Sequence, residues 1–287
     1  MLAKHAHTDL IRLPALLIGL ASLLLATVGS AQERSSIQDP SVLVHYSYAT
    51  LMGTGFYRLD DRSVAILRVP MNFTLLEQTP DRMGIRLVVP TAVGLHNFDL
   101  DDVADVSFDD LATISIVPGV ELDFSPGERW AVTPGFYLGY GHDLTNSESS
   151  IIYGARVTGV YDFKRENPGL TFGSEALVSG YTPENGPSNF LTRFSVGLDI
   201  RYPMGWTING KNTFFAAHVI DYVYLNELEF RTIGDDSITL RNELEIGLAL
   251  GRDPAFKVLG IEFDRIGLAY KFGPHIDAIV LVAGFPF

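Results

Sequence analysis

Histidine, serine and carboxylate side chains are the groups in this chain with the means for hydrolytic chemistry. On an extended strand a His and a Ser face the same side and come within reach of one another at i, i+2 spacing, and His45-Tyr46-Ser47 has that spacing. A second histidine, His142, is followed by Asp143, Asn146, Ser147 and Ser149, but Leu144 stands at its i+2 position. Its hydroxyl neighbours therefore read as an ordinary polar loop. Six aspartates fall within 99–110 (Asp99, Asp101, Asp102, Asp105, Asp109 and Asp110), a density of oxygen ligands that would suit calcium. The segment lacks the glycine and closing glutamate of an EF-hand loop, so it reads as a solvated acidic connection. There is no cysteine, which excludes a disulfide framework, a thiolate metal site and a lipid-modified amino-terminal cysteine. The expectation is a protein that is not an enzyme, with no catalytic residue, no metal and no cofactor.

The most numerous candidates are charges that recur at every second position opposite apolar residues: Arg68, Arg86, Glu121, Asp123, Arg156, Asp162, Glu175, Arg193, Asp199, Arg201, Arg241, Glu243 and Glu245. In 190–202 the even face is almost wholly apolar or aromatic, while the odd face holds Arg193, Ser195, Gly197, Asp199 and Arg201. From Ile238 to Leu250 the even face is again apolar apart from Asn242, and Arg241, Glu243 and Glu245 oppose it. Charges of both signs on an inward face either select solutes in an open lumen or pair across strands and close it. Pairing is the favoured reading.

These faces belong to long strands. Twelve alternating segments are predicted at 43–59, 63–77, 83–98, 111–124, 129–142, 149–163, 169–181, 190–203, 211–224, 237–250, 256–272 and 277–287, most of them longer than a globular strand and long enough to cross a bilayer when tilted. Aromatics gather near segment ends (Trp130, Tyr140, Tyr161, Phe163, Phe190, Tyr202, Phe272, Phe285 and Phe287), where interfacial rims belong. Lys4 and Arg12 precede an apolar run from Leu13 to Val28 and then Gly29-Ser30-Ala31, the pattern of a signal peptide cleaved after Ala31. The domains predicted are thus 1–31, a leader, and 32–287, one closed antiparallel transmembrane β-barrel of about twelve strands, all-β in class. With 21 basic and 34 acidic residues and a net charge of −13, nucleic acid is a poor partner.

An even strand count returns both termini to one side, where turns should be short. Pro80-Asp81, Ser125-Pro126-Gly127, Glu166-Asn167-Pro168, Pro203-Met204-Gly205 and Arg252-Asp253-Pro254 are predicted as those turns. The longer connections 99–110, 182–189 and 225–236 fall on the other side, with Asp60-Asp61-Arg62 and Gly273-Pro274-His275 as short exceptions. Pro70, Pro90, Pro118 and Pro134 lie near the middle of consecutive predicted strands and oppose this scheme, because proline cannot donate to a ladder. Either they kink the strands in one belt, the favoured reading, or the strands are split there. Gly135, Gly139 and Gly141 share an inward face; they either admit the backbone of 33–49, as a periplasmic or lumen-entering segment, or make room for Tyr137 and relieve curvature.

The chain ends on Phe287, with Phe285 and further apolar residues at alternate positions before it. With the leader, this ending resembles bacterial outer-membrane barrels, in which, as the resemblance implies, a terminal aromatic strand is the signal read by the barrel-assembly machinery; Phe285 and Phe287 would be that signal. Twelve strands and Ala283-Gly284-Phe285-Pro286-Phe287 look like the autotransporter-type barrel in its solitary form, since about twenty residues separate Ala31 from secure strand. The resemblance implies the outer membrane of a Gram-negative cell, with lipid and lipopolysaccharide as surroundings and a structural or narrow-pore role. A porin-like small-solute channel and an outer-membrane lipid hydrolase are the alternatives.

Overall fold

The computed structural model describes residues 52–59, 62–96, 111–144, 147–164, 168–185, 188–231, 237–258 and 261–287. Residues 43–51 of the first predicted strand, His45 and Ser47, the leader and the acidic loop 99–110 lie outside them.

Thirteen strands follow in chain order: β1 Gly55–Leu59, β2 Arg62–Leu76, β3 Gly84–His96, β4 Leu111–Ile116, β5 Gly119–Gly127, β6 Trp130–Asp143 and β7 Glu148–Lys164. After them come β8 Gly169–Pro183, β9 Asn189–Ile208, β10 Lys211–Arg231, β11 Ser237–Val258, β12 Ile261–Gly273 and β13 Ile276–Val282. Every neighbour pair is antiparallel, and β1 pairs with both β2 and β13, which closes the ring. Because β4 and β5 share one place between β3 and β6, the ring has twelve staves. Closure removes the free edges that an open sheet of this size would expose.

The apolar alternate positions face outward. Leu67, Phe136, Leu138 and Leu268 are 58–64% exposed, as are many other Leu, Ile and Phe side chains around the wall, far more contiguous apolar surface than a soluble monomer displays. On β6, Trp130 and Tyr140 bound this belt; ten residues at about 3.3 Å each and a tilt near 40° span roughly 25 Å, the height of a bilayer core. An aromatic rim runs along the terminus side, with Trp130 and Tyr161 at 4.8 Å, Tyr161 and Phe163 at 4.9 Å, and Phe163 and Phe172 at 6.5 Å between centroids. At the other rim Tyr270 stacks on Phe272 at 5.8 Å. Backbone groups satisfied by ladders around most of the wall, apolar residues outside and aromatic rims at both ends make this a transmembrane β-barrel.

The four prolines are accommodated by different devices. Only the predicted strand 111–124 is split, at Val117-Pro118, where Val117 donates to the Pro90 carbonyl at 3.0 Å and Leu138 to the Pro118 carbonyl at 2.9 Å. Around Pro134 the β5–β6 ladder skips its rungs between Glu121↔Gly135 and Phe124↔Val132 without losing register. On β2, Arg68 turns its N–H and its carbonyl toward the β1 side, where Thr54 Oγ1 meets both at 2.9 Å. Alternation aims the Pro70 nitrogen the same way, beyond the start of β1, so no described strand needs the donor it lacks.

Three predicted turns are corrected. Strands run through 125–127, 203–205 and 252–254, and the chain reverses instead at Glu128-Arg129, at Asn209-Gly210 and between the end of β11 at Val258 and the start of β12 at Ile261. Asn209 (φ 51°) and Gly210 (φ 71°) form the left-handed pair that a two-residue hairpin turn requires. Pro203 and Pro254 sit beside ladder irregularities, at Asn212/Phe214 and Gly251/Phe256. The last strand is also shorter than predicted: it ends at Val282, and Ala283–Phe287 leave the wall.

Candidate functional site: the charged lumen

Side chains opposite the lipid face converge on the lumen, and the charged ones pair from strand to strand. Arg86 on β3 grips Asp123 of β5 with two hydrogen bonds of 2.7 and 2.8 Å and reaches Glu121 at 3.0 Å. Glu121 is buried and also accepts from Tyr137 of β6 and pairs with Arg156 of β7. Arg156 lies 4.0 Å from Glu175 of β8, which Arg193 of β9 meets at 2.7 Å. The Arg193 guanidinium lies over the Tyr222 ring of β10 at 4.9 Å, and Tyr222 donates to Glu245 of β11 at 2.9 Å. His218 contacts Glu245 at 3.0 Å, while Lys271 of β12 lies 3.3 Å from Glu243 and 3.6 Å from Glu245.

These contacts form one arc along the inner wall from β3 to β12. Five carboxylates face four cations, and Arg68 on the adjoining β2 supplies a fifth positive charge, so the arc carries little net charge to select solutes by sign. Among the described residues Arg68 has no carboxylate in ion-pair contact, and its Nε is buried without a partner. On β13, β1 and the far half of β2 the inward positions are apolar instead: Ile276, Ala278, Val280, Tyr57, Val64 and Ile66 belong to one buried cluster.

A second ionic cluster lies nearer the termini. Arg265 is fully buried and binds Asp199 through two hydrogen bonds of 2.6 and 3.1 Å. Arg201 pairs with Asp264 at 2.8 Å and Asp199 at 3.3 Å, and both guanidinium groups lie over the Phe214 ring at 5.1 and 5.7 Å. Asp162 accepts from Thr171 at 2.9 Å beside a cavity of about 560 Å³ lined by Arg201, Asp264, Phe285 and Phe287.

Of the thirteen charges predicted to face inward, eight join the arc, Arg68 stands beside it, and Asp162, Asp199 and Arg201 belong to the terminus-side group. Arg241 is exposed toward the far end of β11, outside both clusters. Lys271, Arg265, Asp264 and His218 join these clusters without having been expected there. Odd-numbered Arg265, Gly267, Ala269 and Lys271 against Ile266, Leu268, Tyr270 and Phe272 were the available signal. Gly135 serves Tyr137, since a Cβ there would lie 2.7 Å from the Tyr137 hydroxyl, whereas Gly139 admits the Ile116-Val117 backbone at the break between β4 and β5.

The histidine at the far rim finds a hydroxyl after all. His142 Nδ1 lies 3.0 Å from Ser149 Oγ, a partner directly opposite on β7 rather than along its own strand. Phe285 and Phe287, expected within the last strand and its aromatic rim, lie inside. Phe285 sits 6.3 Å from the His218 ring, the two phenyls are 5.0 Å apart, and Phe287 covers Gly173 and Gly197 on β8 and β9.

No family model matches the sequence, and no curated protein matches it. The structure is similar to the translocator domain of the autotransporter NalP from Neisseria meningitidis, with 10% identity, 96% of each chain covered and a TM-score of 0.48. The twelve-stave closure stands on the ladders described above.

Proposed function

We propose that residues 32–287, freed of the leader 1–31, form an integral barrel of a bacterial outer membrane, with a structural or narrow-pore role and no enzymatic activity. The carrying observation is the inner arc. Its carboxylates and cations are paired across neighbouring strands and, at Glu121–Arg156, across one intervening strand, so they brace the wall rather than line an open, singly charged passage. Lipid and lipopolysaccharide are the surroundings this reading assigns, and the assembly machinery of that membrane is its partner during insertion.

Planar-bilayer recording on refolded protein tests the role. The wild-type chain should give no discrete open-pore steps; a steady large conductance would establish the porin-like alternative instead.

The His142–Ser149 contact favours a second reading, a lipid hydrolase at the far rim, because a base within hydrogen-bond distance of a hydroxyl is the start of a nucleophilic pair. The non-enzymatic reading expects no phospholipid turnover by purified protein. Measurable turnover that disappears in Ser149→Ala would overturn it.

A further inference from the structure

The closing strands leave part of the wall unpaired. β1 begins at Gly55, opposite Ile66, and β13 ends at Val282, opposite Gly267. Toward the termini, β2 continues to Leu76 and β12 starts at Ile261, yet no ladder joins them, although their Cα atoms approach within 8 Å. Among the described residues these two facing stretches have no ladder partner on the side they turn to each other. A chain that simply continued β13 would enter the seam between them. Extending the register Gly267↔Val282 sets Ala283 against Ile266, Phe285 against Asp264 and Phe287 against Glu262. Continued alternation would put Phe285 and Phe287 on the outward face of Ile279 and Leu281, which requires the Asp264 carboxylate opposite Phe285 to leave its Arg201 partner.

The tail lies elsewhere. It crosses to the far wall, where Gly173 and Gly197, paired with each other on β8 and β9, form a side-chain-free seat for Phe287. A Cβ on Gly173 would collide with the Phe287 and Phe285 rings, which are its three nearest atoms, and one on Gly197 would stand 2.8 Å from the Phe287 ring. The rings and the Arg201–Asp264 pair together line the cavity at the terminus-side mouth. One residue weakens the alternative placement. Leu281 donates to Thr54 on the β1 side, so even-numbered residues aim their N–H groups at β12, and Pro286 has none to give.

We infer that Ala283–Phe287 is a two-position element: seated on Gly173 and Gly197 it stoppers the lumen and leaves the β2–β12 seam unpaired among the described residues, and extended along β12 it clears the lumen and pairs with the β12 side of that seam. This rests on the chain being a membrane barrel. The two positions exchange burial of two phenyl rings in the lumen for their burial in lipid, and ring contacts for ladder bonds.

The test uses full-length protein in vesicles of brominated-acyl lipid, with Phe287→Trp as reporter and Trp130 and Trp206 replaced by Phe. The reporter indole should escape quenching when the tail is seated. Adding Gly173→Val should make it lipid-quenched and, in planar bilayers, produce conductance steps absent from the parent; Phe287→Gly, which empties the seat without touching the wall, should produce the steps by itself. Quenching of the reporter with Gly173 intact would overturn the inference, as would unaltered conductance in both variants. Native Trp130 and Trp206, quenched or unquenched in the wild type, report separately on whether the barrel sits in lipid at all.

Discussion

Arg265→Ala should lower the unfolding free energy by about 3 kcal/mol, the lower end of the range for removing one partner of a buried ion pair. Arg265 is 0% exposed and Asp199 is 1% exposed, so deleting the guanidinium strands a carboxylate that water cannot reach. The lower end applies because Arg201 remains 3.3 Å away and offers partial compensation. Denaturant titration of refolded protein measures the loss. The double variant Arg265→Met, Asp199→Leu should recover most of it, since apolar replacement of both partners removes the desolvation penalty together with the pair. Recovery in the double variant separates burial of a lone charge from damage to packing against Phe214.

Leu268→Arg should lower stability by about 2–4 kcal/mol in lipid, the cost of a cation on the outer face near the bilayer midplane. Leu268 is 60% exposed and stands midway along β12 between the aromatic residues Phe263 and Phe272, flanked by Leu248 and Leu281 on the neighbouring strands. The same change at Leu144, in the connection after β6, should lower it by no more than about 1 kcal/mol, because that residue lies at the rim where cations meet headgroups and water. Equal effects at the two positions, measured by unfolding from bilayers, would mean that the outer belt does not face hydrocarbon.

The strand pattern was legible because period-two alternation survives wherever one face meets lipid and the other a polar lumen. Glu121, Glu175, Arg193 and Glu245 were placed inward on that basis alone. It failed where the ladder is irregular. The shift between Gly251 and Phe256 falls at the poorly alternating start of β12, and the regular alternation of Arg265, Gly267, Ala269 and Lys271 that follows it went unused. Prolines at 203 and 254 carry turn chemistry yet sit in distorted strands, while Asn209-Gly210, a hairpin signal in its own right, makes the actual reversal. Contacts between strands need a register that one strand's spacing does not contain, which is why His142 was judged against Leu144 and not against Ser149. The tail was misplaced for a related reason: Ile279, Leu281, Phe285 and Phe287 alternate without interruption, and alternation does not reveal that Pro286 lacks the donor β12 would use.

The ionic arc stops short of the strands that shut the ring. From Arg86 to Lys271 nearly every link joins staves next to one another in the chain, whereas β13, β1 and β2 meet through Ile276, Val280, Tyr57 and Ile66. During insertion the electrostatic contacts can therefore form one hairpin at a time, over short sequence separations. The long-range step that joins the first stave to the last rests mainly on desolvation of greasy surface, because the Arg58–Asp277 pair that spans it at 3.3 Å is exposed and contributes little. Added salt should accordingly slow early zipping and leave the rate of ring completion nearly untouched.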